Sequence, residues 1–547
     1  MIRISTVEPS RRRLLRLFWI CPLLAGLLCC CSRTPEADTL FRRADPGDLP
    51  TGGLTYGVTL LDGNGDGRRD LLFSRHGDRA EMYLNRGKLR FQRCAADSLL
   101  PGNLLDQHGT AACDFDHDGD WDAYVTLGAE RGEGLSLNQL WEQTEPGRFT
   151  NIAAGNLTLN DPVGRGRGSL WADFNGDSLV DLLLISYQSQ ARLVCQGDNG
   201  WVDQTSWFPT PMDVPLWSPG MPPPTPAERA RSTWIHAASA TDIDGDGAVD
   251  LLAMGRGGWS GLWRNTGRGR FQDVTSIWGL RAAFWPQVPS FACVGDVDGD
   301  RDLDLILLYR LYQTDIRLAR GQFELWLNER DNEGPYFRRA GAESGLSGGK
   351  LAEAGQLADL DNDGNLDLFV IQNDRLGEPV PNLVFLGDGQ GRFHRLRQAW
   401  DDKSVPPGTA ESGWATDLDR DGDLDLLLCN GGGTEPDQGG GVLLYENTSR
   451  SSRGITLELD SRTGPPHGLG ARVELRCGGL VGLREVSSLA TPFASTILPV
   501  HFGVGDLPGP YRVTIRWASG QVQEVELPRA GRAYLVREDD NSIQELP

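Results

Sequence analysis

One acidic nonapeptide, repeated seven times, constrains this chain more than any other feature. It reads D-x-[DN]-x-D, then usually Gly, then x-x-D, and apolar residues follow at once. The copies begin at Asp62, Asp114, Asp173, Asp242, Asp296, Asp359 and Asp417, with separations of 52, 59, 69, 54, 63 and 58 residues. A short apolar run precedes each copy, such as Gly57-Val58-Thr59-Leu60-Leu61, and another follows, such as Leu71-Leu72-Phe73 or Leu426-Leu427-Leu428. Each nonapeptide is therefore expected to join two strands of a hairpin.

A second motif keeps step with the first. A turn of the Asn-x-Gly kind leads to an aromatic residue and then a polar stretch, as in Asn265-Thr266-Gly267-Arg268-Gly269-Arg270-Phe271. The aromatics are Phe41, Phe91, Phe149, Trp201, Phe271, Phe337 and Phe393. A unit of about 60 residues holds roughly four strands, the size of one propeller blade. The two motifs are out of phase at the ends. The segment around Phe41 is spare, and the last unit lacks an outer strand. Pairing the two closes a ring and leaves no open edge between first and last blades. A linear β-solenoid is the alternative, but its coils are shorter and it needs capping units. The expected fold is all-β, a seven-bladed β-propeller over residues 41–449 followed by a small β-rich, sandwich-like domain over 454–538. In the latter, strands are expected at Ile455–Leu459, Ala471–Arg476, Tyr511–Trp517 and Gln521–Leu527.

The nonapeptides have the chemistry of a calcium loop. Oxygens at positions 1, 3 and 5 converge when a Gly at position 6 lets the chain turn sharply, position 7 offers a carbonyl, and position 9 adds a carboxylate. Loop one thus offers Asp62, Asn64, Asp66, the carbonyl of Arg68, and Asp70. Loop two offers Asp114, Asp116, Asp118, Asp120 and Asp122; loop three offers Asp173, Asn175, Asp177 and Asp181. Loop four offers Asp242, Asp244, Asp246, the carbonyl of Ala248, and Asp250; loop five offers Asp296, Asp298, Asp300, Asp302 and Asp304. Loop six offers Asp359, Asp361, Asp363, Asn365 and Asp367; loop seven offers Asp417, Asp419, Asp421, Asp423 and Asp425. These loops hold 29 of the 75 acidic residues, and seven divalent ions would bring the formal charge of −22 to −8. Solvated Asp-Gly turns are the bland alternative, but so many carboxylates in nine residues repel one another without a cation. About one calcium ion per blade, up to seven, is therefore expected. Loop three, with Ser178 in place of Gly and Asn175 in place of a carboxylate, is expected to bind weakest; loop five has Arg301 at the Gly position.

These loops resemble the FG-GAP and VCBS repeats of integrin-α-like propellers. The stretches Gly468-Leu469-Gly470-Ala471-Arg472-Val473, His501-Phe502-Gly503-Val504-Gly505 and Trp517-Ala518-Ser519-Gly520 resemble the ASPIC/UnbV domain of cartilage-acidic-protein-like proteins. The resemblance implies calcium that stiffens blades without catalysing a reaction, and placement outside the cell.

The N-terminus points the same way. Arg3, Arg11, Arg12, Arg13 and Arg16 precede the apolar stretch Leu17–Leu28 and then Cys29, Cys30 and Cys31. Residues 1–31 are read as a signal peptide of lipoprotein type, with lipidation at Cys30 or Cys31; a cleaved, unlipidated signal is the alternative. Ser10 to Arg16 also resembles a twin-arginine export signal. The six remaining cysteines match no zinc or disulfide framework. None of the seven histidines has the spacing of a zinc helix, and no nucleophile elbow, P-loop or dinucleotide fingerprint is present. The acidic surface disfavours nucleic acid. The expected function is recognition, adhesion or scaffolding at the cell surface, with a protein or glycan partner and membrane contact only through the lipid. A polysaccharide hydrolase or lyase with its site in the propeller funnel is the alternative. A Pro- and Trp-rich insertion from Trp207 to Trp234 is either a rim loop packed on its own blade or a binding surface.

Overall fold

The structure, a computed structural model, describes residues 40–547 apart from 53–54, 76–79, 95–106, 129–136, 162–165, 187–190, 198–199, 208–234, 256–259, 285–287, 310–322, 332–333, 348–351, 374–379, 398, 400–409, 431–440, 450–452, 492 and 541. The signal-peptide and lipidation expectations, and all of the Pro-rich insertion except Trp207, lie outside the described residues. No helix among those described is long and apolar enough to cross a membrane.

Apolar runs on both sides of each acidic loop pair as an antiparallel hairpin, in the register Leu61↔Asp70 of the first repeat and Thr416↔Asp425 of the last. Two further strands complete each sheet. The first sheet runs Thr55–Leu61, Asp70–Arg75, Glu81–Asn85, Phe91–Arg93 from the innermost strand outward. The second begins Gln107–Cys113 and Asp122–Leu127, and the third Gly166–Ala172 and Asp181–Ser186. The fourth begins Ile235–Thr241, the fifth Phe291–Gly295, the sixth Ala352–Ala358 and the seventh Ser412–Thr416. The two inner strands of blade two are buried along their whole length. Sheets on both faces explain why such strands read as unbroken apolar or small-residue runs. The recurring aromatics lie in or next to the outermost strands. Phe91, Phe149, Phe337 and Phe393 are each buried, while Trp201 sits one residue before its strand and is half-buried.

The ring closes as its phase required. Phe41–Arg43 pairs antiparallel with Val442–Asn447, Phe41 opposite Asn447, and supplies the outer strand of blade seven. Inner strands also bond from blade to blade. Thr59 Oγ1 donates to Thr110 O at 3.0 Å, and Trp171 Nε1 donates to Ala111 O at 3.3 Å. Gln356 exchanges two bonds with the backbone of Ala415. Trp414 Nε1 donates to Val58 O at 2.6 Å, which joins blade seven to blade one.

The C-terminal strands form two four-stranded sheets. One is ordered Val500–Gly503, Gly454–Asp460, Arg532–Arg537, Ile543–Glu545, and the other Leu480–Glu485, Arg472–Cys477, Tyr511–Arg516, Val522–Leu527. Val522–Leu527 alternates exposed and buried residues, as a sandwich face requires. Residues 39–547 form one compact unit, and a hairpin explains the intimacy. Ser488–Thr491 and Ala494–Ile497 leave the sandwich and enter the propeller channel, where Ala494 and Ser495 pair in parallel with Thr110 and Ala111. The hairpin is made of small residues, and Ser488, Ala490, Ala494, Ser495 and Thr496 are buried. Leu60 N donates to Thr496 Oγ1 at 3.3 Å. Gly57 lets the hairpin tip pass, since a Cβ there would lie 2.2 Å from Phe493 O. Beyond the hairpin, the channel retains a cavity of about 130 Å³, lined in part by Phe291, Gln356, Trp414, Thr416, Leu489 and His501.

Candidate metal centres

All seven nonapeptides fold alike because two positions adopt the left-handed conformation. Position 6 has φ between +73° and +101°, including Ser178 and Arg301. Position 4 has φ between +60° and +80°, and there His117, Asn362 and Arg420 take a conformation easiest for Gly. His117, at a non-ligand position, is half-buried. The double turn directs backbone N–H groups inward. In every loop the position 6 N–H donates to Oδ2 of the position 1 Asp, from 2.7 Å at Gly67 to 3.2 Å at Gly422. The N–H of position 7 donates to the position 5 carboxylate, as Arg68 does to Asp66 and Ala248 to Asp246, both at 3.0 Å.

Position 9 has a second task that its place in the motif does not reveal. Its Oδ2 accepts the N–H of position 2, and its Oδ1 accepts an N–H from the third strand of the same blade. Asp70 accepts from Gly63 at 3.1 Å and Asn85 at 2.7 Å; Asp425 accepts from Leu418 at 3.3 Å and Asn447 at 3.1 Å. Asp122, Asp181, Asp250, Asp304 and Asp367 repeat this pattern. In four blades the third-strand residue is Asn, whose side chain then staples neighbours together. Asn85 Nδ2 reaches Leu418 O, Asn265 reaches Phe174 O, Asn328 reaches Ile243 O and Asn447 reaches Leu360 O. The turn motif read from sequence is thus an interblade staple as well.

Among the described residues, five loops bring carboxylate oxygens of three Asp residues within 4.8 Å of one another. The groups are Asp114, Asp116 and Asp122; Asp242, Asp244 and Asp246; Asp296, Asp298 and Asp300; Asp359, Asp361 and Asp367; and Asp417, Asp419 and Asp421. These groups could hold a metal ion, and the donor set fits one. Asp114 Oδ1, Asp298 Oδ1, Asp359 Oδ1, Asp417 Oδ1 and Asp419 Oδ1 are buried without a hydrogen-bond partner. A buried carboxylate oxygen with no donor is costly unless a cation faces it. Burial, reinforced by neighbouring carboxylates, raises the proton affinity accordingly. Asp114, Asp359 and Asp417 are pushed up to about 7, and Asp122, despite two backbone bonds, to about 9.

Loops one and three differ. Their position 3 is Asn, which donates to the position 5 carboxylate, Asn64 to Asp66 at 3.1 Å and Asn175 to Asp177 at 3.0 Å. Asp173 and Asp181 bond to backbone as in the other loops, and Asn365 and Asp363 of loop six make the same internal bond at 3.0 Å. Loop four is ringed by guanidinium groups. Arg264 contacts Asp244 at 2.5 Å and Asp246 at 2.7 Å, Arg472 lies 3.6 Å from Asp242, and Arg330 reaches from Asp302 of loop five to the Asp244 carbonyl. Asp118, Asp120 and Asp423 add further carboxylates at their loops.

The C-terminal domain lies on the end of the ring that carries these loops. Glu485 accepts from Thr241 Oγ1 and Asp242 N at 2.8 and 2.9 Å. His467 stacks on Trp121 and accepts the N–H of Asp114. Glu458 faces Arg69 and Arg420. Sequence reasoning missed these residues because they are far from the loops in the chain and match no ligand spacing.

The comparisons with known proteins agree with this architecture. The FG-GAP-like repeat model matches residues 62–125, 242–307 and 359–428, and the ASPIC and UnbV model matches 461–543. Cartilage acidic protein 1 of Mus musculus is 29% identical over 155 residues, covering 26% of this chain and 23% of that protein. The protein of the same name from Homo sapiens is 30% identical over 155 residues, covering 26% and 22%. The match thus spans less than a quarter of these curated relatives. Among solved structures, BBS1N in complex with ARL6DN has a TM-score of 0.41 at 12% identity, covering 75% of this chain and 98% of that one. The rhamnogalacturonan lyase PL11 of Bacillus licheniformis has a TM-score of 0.35 at 14% identity, covering 75% and 76%. The Cps50 (Swd1) β-propeller domain of Myceliophteria thermophila has a TM-score of 0.38 at 11% identity, covering 73% and 99%. The chain is a β-propeller protein built from FG-GAP-like repeats and carrying a C-terminal ASPIC and UnbV domain.

Proposed function

We propose that this chain is an exported, calcium-loaded recognition module that binds a protein or glycan at the cell surface and acts in adhesion or scaffolding. Calcium is the cation proposed because the loops offer hard oxygens only, in numbers and at spacings a flexible six- to seven-ligand sphere accepts. Export, with a lipid on Cys30 or Cys31, would place the loops where calcium is plentiful.

The observation that carries the recognition reading is the hairpin in the channel. A funnel enzyme needs an open central pocket, and ligand pockets usually measure about 300–1,000 Å³. Here Ser488–Ile497 fills one side of the channel, and the cavity left beside it is about 130 Å³. The acidic-loop end is covered by the protein's own domain. Strand direction then leaves the other end for a partner, since every outermost strand connects there to the next innermost strand.

The test is a glycan and protein array probed with residues 32–547 in calcium and in chelator, with release of reducing ends assayed on any polysaccharide retained. Calcium-dependent retention without release is the expected result. Catalytic release of reducing ends would overturn the proposal in favour of a polysaccharide-active enzyme.

A further inference from the structure

We propose that loops six and seven form one coupled pair of cation sites, each touched at its position 1 carboxylate by the C-terminal domain, so that filling them seats the hairpin Ser488–Ile497 in the propeller channel. The proposal rests on the reading that the loops hold a divalent cation. It adds that two of them differ from the rest and hold the molecule's plug in place.

The geometry lies in the position 1 carboxylates. Asp359 is 1% exposed and Asp417 is 9% exposed. In each, Oδ2 accepts both from the loop's own position 6 N–H and from the C-terminal domain. Oδ2 of Asp359 accepts the N–H of Gly503 at 2.7 Å, and Oδ2 of Asp417 accepts the hydroxyl of Thr456 at 2.9 Å. Both donors belong to the C-terminal domain. Oδ1 of each Asp is buried and has no hydrogen-bond partner, and each Asp belongs to a group of three whose oxygens converge. A cation drawn to Oδ1 would fix the carboxylate plane, and that plane sets the direction in which Oδ2 accepts.

A single network joins the two sites. Asn362, at position 4 of loop six, is fully buried. Its Nδ2 donates to Asp423 Oδ1 of loop seven at 2.6 Å. Its Oδ1 therefore faces His501 as an acceptor, 2.7 Å from Nε2. That assigns the ring proton to Nε2; Nδ1 then lies 3.1 Å from Thr456 Oγ1, a contact without a hydrogen bond while the single hydroxyl proton is donated to Asp417. His501, Thr456 and Gly503 lie on the paired strands Gly454–Asp460 and Val500–Gly503, and the second of these follows the hairpin by two residues. Loop four also meets the domain, through Glu485 and the Arg472 guanidinium; at loop six the buried Arg484 guanidinium of the domain acts on Asp359 as well, beside the Gly503 hydrogen bond. Among the described residues, neutral donors from the domain reach position 1 carboxylates at loops six and seven.

By linkage, whatever the cations gain from the seated domain, the seat gains from the cations. Hydrogen exchange of the full exported chain, residues 32–547, tests this during a calcium titration run alongside calorimetric stoichiometry. The expected result is protection of hairpin amides 488–497 by at least about tenfold, rising with the fraction of loops six and seven filled. Thr456→Val, which keeps shape and deletes one donor, is expected to weaken two of the bound ions about 3- to 10-fold and leave the others unchanged. Gly503→Ala is the stronger wedge, since its Cβ would lie 2.4 Å from Asp359 Oδ2, and it is expected to abolish the protection. Calcium bound at full stoichiometry with equal hairpin protection in calcium and in chelator would overturn the coupling while leaving the calcium reading intact. No calcium bound at all would overturn both.

Discussion

Adding calcium to chelator-stripped protein is expected to raise its melting temperature by roughly 12 °C, and the figure follows from the loops. Five of them converge three carboxylates each. A ligand that binds only the folded state at a hundredfold excess over its dissociation constant stabilises by about 2.7 kcal/mol per site, so five independent sites give about 13 kcal/mol. Unfolding entropy is about 2.1 cal/mol/K per residue. Over the compact unit Thr39–Pro547 this gives about 1.1 kcal/mol/K, and dividing one by the other gives the shift. The assay is differential scanning calorimetry of residues 32–547 across a calcium series, with bound metal measured by emission spectroscopy on the same samples. Magnesium at the same activity is expected to do much less, because the loops cannot impose a small octahedral sphere. A shift below about 3 °C, or fewer than two ions bound at saturation, would refute the argument, since the buried Oδ1 atoms would then be tolerated without a cation.

The other predictions concern protons, the closing strand and the plug. In metal-free protein, burial raises Asp114, Asp359 and Asp417 to about 7 and Asp122 to about 9. Such groups bind protons more tightly folded than unfolded, so their contribution is complete below the ordinary carboxylate range and is lost as pH climbs through 7 to 9. The metal-free protein is therefore expected to melt lower at pH 8.5 than at pH 5.5, and the calcium-induced gain is expected to grow over that window; the opposite slope would contradict the burial assigned to these carboxylates. Phe41→Ala removes a fully buried ring from the strand that completes blade seven and is expected to cost about 3–5 kcal/mol by chemical denaturation. Gly57→Ala would set a methyl 2.2 Å from Phe493 O; faster hydrogen exchange at 488–497 with unchanged calcium stoichiometry is expected, and an unaltered hairpin would show that the tip does not pass there.

Much of this architecture was legible because it repeats. The nonapeptide showed the hairpins, and the spare segment around Phe41 showed that the ring closes on itself. The aromatics marked the outer strands, and Phe271 and Trp201 reach across to the neighbouring blade, onto Phe174 and Phe115. What a repeat cannot show is what each copy touches. Four copies have Gly at position 4, namely Gly65, Gly176, Gly245 and Gly299, and that was a readable signal of a second left-handed residue. His117, Asn362 and Arg420 obscured it. The two backbone bonds of each position 9 carboxylate were hidden for a different reason: a ligand and a strand clamp require the same residue. The hairpin of the C-terminal domain was invisible because Ser-Leu-Ala-Thr and Ala-Ser-Thr-Ile read as an ordinary small strand pair. Only the channel of inner strands, assembled from residues hundreds of positions away, makes small side chains necessary there.

The two ends of the ring differ for a topological reason. Each innermost strand runs toward its acidic loop, the second runs away, the third returns and the outermost leaves again. Short connections therefore fall on the acidic-loop end, where seven similar nonapeptides cannot vary without losing their fold. The C-terminal domain exploits that constancy through His467, Glu485, Thr456 and Gly503. Connections from one blade to the next fall on the far end, and there nothing in the loop chemistry limits length. The longest repeat separation, 69 residues, arises in that kind of connection, between the end of the third blade at Trp207 and Ile235 of the fourth. A connection of that kind can change in length and composition without disturbing the acidic loops or their contacts with the C-terminal domain.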